Sequence, residues 1–260
     1  MDFLYPEPNV INVFTDASTS AAETSYDNLI ISPGFIMVNQ CKNINQGFTI
    51  WKGSSSFGEM YALFMGVNEI YRDAWYQRSR GLDPNTCRIY NVFSDSRYAL
   101  DSIKYWVHDW IKKAGPVEYF WSPMHHTYIP KIPIWKKSSI NEPVMHQDLI
   151  LQVMWVILSA QVQIHFYHIK GHFNWDDPRK VERAKAMFCD YAKIKRIPIE
   201  YIRDMIYWNN AIDTMTRSGM KTLLANNITK NQTLLAEKPK WTIGFYPTPE
   251  QMIAYQYLVK

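Results

Sequence analysis

The chain has 260 residues, of which 47% are hydrophobic, 15% aromatic and 20% charged, and its formal charge is +4. That length suits one elaborated domain or two small ones, and an ordinary charge fraction with many aromatics excludes general disorder. No run approaches the roughly 18 consecutive apolar residues of a spanning helix, and the start MDFLYPEPNV is acidic and proline-bearing, unlike a secretory signal. The expectation is a cytoplasmic protein with no membrane partner. Three scattered cysteines, Cys41, Cys87 and Cys189, form no CxxC pair and read as reduced thiols. Ten glycines, with neither GxGxxG nor a P-loop signature, argue against a Gly-rich phosphate loop.

In chain order, residues 9–15 (NVINVFT) alternate and are rich in β-branched and aromatic side chains, predicting a first strand. Residues 29–38 and 47–52 give a second and a third, and short connections predict an antiparallel meander. From Phe57 the period becomes helical, with Met60, Leu63, Val67 and Ile70 on one face. Residues 73–86 are polar and read as a loop. A fourth strand is predicted at 88–94 and a helix from Arg97 to Lys113. Residues 115–145, with five prolines and no clear period, read as an insertion or long loop. A strongly apolar helix (147–158), a fifth strand (161–169), a charged helix (176–195) and a further helix (198–216) follow. Helices separating the last two strands imply crossovers and a mixed sheet.

Charge is uneven. The first 41 residues hold Asp2, Glu7, Asp16, Glu23 and Asp27 but no Lys or Arg, while basic residues gather in 130–137 and 170–196. A solvated surface explains such runs more often than a ligand does, although carboxylates at one place with lysines around them suit a polyanion and a cation together. Asp16 ends the first strand in VFTDAS and Asp95 the fourth in VFSDSR. If both strands are central, these side chains converge at one rim. Carboxylates so placed repel unless a cation neutralises them, and oxygen-only ligands select Mg²⁺ or Mn²⁺. Taken singly, each such residue is more often a turn, cap or helix-end acid than a ligand. The histidines His125, His126, His165 and His168 lack a third ligand at zinc spacing, so structural roles are expected for them.

The order of five motifs adds a resemblance. VFTDAS, SSSFGEMYALFMGV, VFSDSRYAL, HFYHIKGH and NNAIDTMTR together resemble type 1 ribonuclease H over about residues 10–218. The resemblance implies an α/β, RNase H-like fold: a five-stranded mixed sheet, its first three strands antiparallel, flanked by helices. It implies a catalytic domain over 1–220 with insertions at about 113–145 and 173–205, followed by an extension at 221–260. It implies two-metal hydrolysis of the RNA strand of an RNA–DNA hybrid, with two Mg²⁺ ions (or Mn²⁺) held by Asp16, Glu59, Asp95 and Asp213. His172 matches the family's mobile histidine. Ser18, Ser54, Ser55, Ser56, Arg97 and Lys170 fall at nucleic-acid-binding positions. Lys131, Trp135, Lys136 and Lys137 resemble in character the basic handle of some members.

Departures are Ala17 for a glycine, serines for the Thr-Asn-Asn stretch, a long interval between His172 and Asp213, and Thr216 for an alanine. Such divergence suits a viral or phage lineage, with the host cytoplasm as location. Asp190 is the rival fourth carboxylate, but it lies among Arg183, Lys185 and Lys193, where an ordinary helix ion pair suffices. Two rivals to the hybrid nuclease stand: an RNase H-like nuclease for DNA or structured RNA, and an inactive nucleic-acid- or protein-binding module. The aromatic tail 241–257 is expected to pack on its own domain.

Overall fold

Alternation at the start of the chain produces its central strand. In the computed structural model, which describes residues 8–20, 29–40, 42–137, 141–171, 177–192, 199–225 and 244–260, β1 (Val10–Thr19) is buried along almost its whole length because both faces are covered. β2 (Leu29–Asn39) pairs antiparallel to β1, and β3 (Lys42–Phe48) antiparallel to β2, with an irregularity between Met37 and Val38. β4 (Trp51–Gly53) adds to the other end of β2. The third strand lies earlier than the expected 47–52, because KNINQGF is an exposed edge with no hydrophobic face to announce it.

α1 (Ser55–Ser79) follows, capped by Ser54, whose side chain accepts from the Phe57 N–H. It runs on to Ser79, into the first half of the stretch expected to be a loop, since Ala74 and Gln77 are buried there and Gln77 bonds Asp73 one turn back. A single turn, α2 (Pro84–Cys87), leads into β5 (Ile89–Ser94), which pairs parallel to β1. Next come α3 (Arg97–Asp101), a π-helical turn (Ser102–Trp106) and α4 (Val107–Ala114). The region expected to be irregular contains a hairpin, β6 (Glu118–Ser122) with β7 (Thr127–Lys131), whose Tyr119, Trp121 and Tyr128 are exposed. α5 (Gln147–Ala160) returns the chain to β8 (Ile164–His168), parallel to β5. α6 (Pro178–Ala192), α7 (Ile199–Ala225) and α8 (Pro249–Leu258) complete the order. The main sheet runs β3-β2-β1-β5-β8, a mixed sheet whose first three strands are antiparallel.

Two cores lie on opposite faces of this sheet. One packs Ile11, Val13 and Val92 against α1 and α5 through residues such as Met60, Leu63 and Ile157. The other packs Phe14, Phe93 and Tyr167 against α6 and α7, with the Phe14 and Phe93 rings stacked at 4.8 Å. The C-terminal segment belongs to the first core. Tyr255 of α8 is fully buried and donates to the Ile103 carbonyl at 3.1 Å. Lys260 exchanges backbone hydrogen bonds with Ile164 and Phe166, covering the open edge of β8. No helix among the described residues is long and apolar enough to cross a membrane.

Burial corrects one expectation. Trp135, expected at a nucleic-acid contact, has a side chain that is 0% exposed, stacks on Trp110 and donates through Nε1 to Tyr246 Oη at 3.2 Å. A ring enclosed this way cannot meet a ligand; its large apolar surface ties the insertion to the core. Trp135→Ala is therefore expected to cost about 3–5 kcal/mol of stability, read as a lowered midpoint in urea unfolding. A loss below about 1 kcal/mol, the range of surface changes, would contradict its place in the core.

Candidate active site

Parallel pairing brings the two aspartates together. β1 and β5 run the same way with Thr15 opposite Ser94, so the residues that follow, Asp16 and Asp95, lie at the same rim of that pair. β1 itself does not end at Asp16 as expected but runs on to Thr19, because β2 continues to pair with it. Glu59 reaches this rim from the second turn of α1. Ligand oxygens of Asp16, Glu59 and Asp95 all lie within 4.8 Å of one another. The Ala17 N–H donates to Asp16 Oδ1 at 2.7 Å. Asp95 is positioned by its neighbours: Ser94 O accepts from the Ile169 N–H at 3.0 Å, and Asp95 O accepts from His168 Nε2 at 3.1 Å. A Cβ on Gly171 would overlap the Asp95 carboxylate, so the chain beyond β8 passes directly over that side chain.

The electrostatics are those of a site built for a cation. Burial, then repulsion from Asp95 and Asp213, pushes the Asp16 carboxyl up to about 7, against smaller lowering by the Ala17 N–H and Arg217. Burial, then Asp16 and Asp95, raises Glu59 well above the usual carboxylate range. Glu59 Oε2 is buried without a hydrogen-bond partner among the described residues. An orphaned buried oxygen among oxygen-only donors fits a hard divalent cation and not zinc.

The other expected residues divide by burial. Asp213, on α7, lies near enough for its charge to act on Asp16, but its two oxygens accept from Arg217 Nη2 at 2.7 Å. Asp190 is exposed on α6. Ser18 is buried and hydrogen-bonded to Thr216 at 2.8 Å, so its hydroxyl is engaged inside the fold. Ser54 is likewise buried at the α1 cap, while Ser55 and Ser56 are half-buried. Arg97 is exposed and Lys170 half-buried, each close in sequence to a residue fixing Asp95. Lys131 and Lys137 pair with Glu118 and Glu142, each at 3.3 Å, and Lys136 is exposed. His172 lies outside the described residues.

One neighbour has no signal in the sequence. His146, in a left-handed conformation (φ 59°) just before α5, brings Nε2 to 3.2 Å from Ser54 Oγ and 3.4 Å from Ser56 Oγ. Nothing local in PVMHQDLI marks it, because the contact spans about 90 residues.

The RNase H family model matches residues 8–186. That span contains Asp16, Glu59 and Asp95 and stops short of Asp213. No curated protein matches the chain in sequence. Solved structures similar to it include LC9-RNase H1, a type 1 RNase H with the type 2 active-site motif, at 15% identity and TM-score 0.40, covering 70% of this chain and 72% of that one. The RNase H domain of PFV, at 12% identity and TM-score 0.42, matches over 70% of this chain and 92% of its own. The N-terminal RNase H domain of rv2228c from Mycobacterium tuberculosis, fused to maltose binding protein, matches at 10% identity and TM-score 0.33, over 70% and 94%.

The raised carboxylates have a consequence for stability. Without cation, the native state holds the Asp16 proton to about pH 7 while the unfolded chain releases it near 3.8. Its contribution is therefore fully present below pH 3.8 and is lost as pH rises through 7. Asp16→Asn removes that loss. Relative to the wild type, its metal-free melting temperature is expected to be little changed at pH 4 and higher at pH 8, by about 2–4 °C for each kcal/mol of relieved repulsion. Melts at pH 4, 6 and 8 in EDTA measure this; a difference independent of pH would contradict the carboxylate repulsion.

Proposed function

The chain belongs to the RNase H family, a family of nucleases, and on that premise we propose that it hydrolyses the RNA strand of RNA–DNA hybrids with two divalent cations, Mg²⁺ or Mn²⁺. The observation that carries this reading is the cluster of Asp16, Glu59 and Asp95, with the unpartnered Glu59 oxygen among its donors. When bound, such cations supply charge stabilisation for in-line displacement at a phosphodiester. Asp16, Glu59 and Asp95 would hold them, with Asp213 as the fourth carboxylate. Burial of the cluster strengthens every charge–charge interaction made there.

The remaining residues bind the substrate. Ser55 and Ser56, with His146 beside them, offer donors and acceptors for a sugar hydroxyl or phosphate oxygen. Arg97 and Lys170, near the carboxylates, would counter phosphate charge, and Lys131, Lys136 and Lys137 would add attraction at longer range. His172 is proposed to assist proton transfer or product release. In this reading residues 1–220 form the catalytic domain and 221–260 an extension.

Two experiments test it. The purified chain with Mg²⁺ should cleave the RNA of a hybrid and leave duplex DNA, duplex RNA and single strands largely intact. Asp16→Asn and Asp95→Asn should each lower turnover by roughly two to three orders of magnitude, corresponding to several kcal/mol of transition-state stabilisation. Wild-type turnover in either variant at saturating Mg²⁺, or equal cleavage of duplex DNA, would sink the respective assignment.

Salt dependence tests the basic insertion separately. Replacing Lys131, Lys136 and Lys137 together by Ala should weaken hybrid binding and flatten the slope of log K against log salt, by about 0.7–0.9 for each phosphate that is no longer neutralised. Turnover at saturating hybrid should be retained. An unchanged slope in fluorescence anisotropy would show that these lysines do not meet the nucleic acid.

A further inference from the structure

Both Oδ atoms of Asp213 accept from Nη2 of Arg217, each at 2.7 Å, and Asp213 is outside the group whose oxygens lie within 4.8 Å of one another. The backbone beneath Asp213 is firmly placed. Thr216, three residues on, is fully buried and hydrogen-bonded to Ser18 Oγ at 2.8 Å. Its methyl group fills the space over Gly34, where a Cβ would come within 2.8 Å of it, and Gly34 is the residue opposite Asp16 in the β1–β2 register. α7 is therefore held against the strand that carries Asp16, and only the Asp213 side chain is left to change partner. Arg217 sits four residues along the same helix with a side chain 46% exposed, and the charges of both residues act on Asp16. An i,i+4 pair this exposed is weak and exchanges readily by side-chain rotation. A carboxylate close enough to Asp16 for the two charges to interact gains more from a shared divalent cation than from a single guanidinium.

We propose that Arg217 is a positioning residue that holds Asp213 in the cation-free site and releases it on cation binding, so that the Asp213–Arg217 pair sets the affinity of the site for divalent ions. The proposal rests on the reading of Asp213 as the fourth carboxylate. Arg217 then acts as a resident counter-charge: it tempers repulsion in the empty cluster and competes with the ion for one ligand.

Calorimetric titration of Mn²⁺ into the metal-free full chain tests this without reference to turnover. Arg217→Ala, and Arg217→Gln as a second variant that keeps the side-chain stem, should bind Mn²⁺ roughly two- to fivefold more tightly than the wild type. Asp213→Asn should bind it more weakly. In the Asp213→Asn background, adding Arg217→Ala should produce a clearly smaller gain than in the wild type, because the arginine then has no carboxylate to hold and keeps only its direct pull on Asp16. Unchanged or weaker binding in both Arg217 variants overturns the proposal. So does an equal gain in the Asp213→Asn background, since the arginine would then act on the other carboxylates directly and not through Asp213. Wild-type affinity in Asp213→Asn alone removes Asp213 from the ligand set, and the proposal with it; weakened binding there without a gain in the Arg217 variants overturns only the role of Arg217.

Discussion

Pairing of β1 with β5 in parallel, Thr15 opposite Ser94, is the constraint on which the rest depends. In an antiparallel pair the two strand ends would lie at opposite rims, and Asp16 and Asp95 would be a strand length apart. Parallel pairing needs a crossover, and α1 supplies it, bringing Glu59 on its second turn to the same rim. One topological choice thus assembles three acids that are far apart in the chain. The same choice buries β1 on both faces, so that even its polar residues Asn12, Thr15, Asp16 and Ser18 are enclosed.

Holding those acids together opposes folding. Asp16 and Glu59 both have their carboxyls pushed upward, first by burial and then by the acids around them. The surrounding packing must offset that cost, and the two cores are arranged to do so. Phe14 and Phe93, two residues before Asp16 and Asp95, stack directly on one another, so the strands carrying the repelling charges are clamped one step below them. On the same face Thr216 closes on Ser18 and Gly34, which fixes α7 against β1 and β2. Sites that concentrate like charge are commonly stabilised from outside in this way.

The parts beyond the family match are tied into this body by burial. Tyr246, and Tyr255 from the last helix, lie with Trp135 of the insertion in the core that packs against α1 and α5. Lys260 completes the hydrogen bonding of the β8 edge. An exposed edge strand invites pairing with other chains, so the C-terminal residues serve the sheet whatever else they do.

The periodic elements and their order are legible without any coordinates. Alternation in NVINVFT, the 3.6 period after Phe57 and the apolar run after Gln147 each encode burial locally, and burial is what those elements obey. Asp16, Glu59 and Asp95 are marked in the same way, since their motifs are local. Elements without a clear hydrophobic period are not legible in this way: the polar edge strand KNINQGF, the last turns of α1, and the β6–β7 hairpin, whose aromatics are largely exposed. The same holds for side-chain roles that need a distant partner. Trp135 reads like a surface aromatic among lysines until Trp110 and Tyr246 enclose it. His146 has no motif and acquires its place only when α5 meets the cap of α1. Ser18 looks available until Thr216 claims its hydroxyl from 198 residues away. Sequence pattern reports what a residue does to its own segment; which groups lie within hydrogen-bonding reach across the chain is set by how the segments pack.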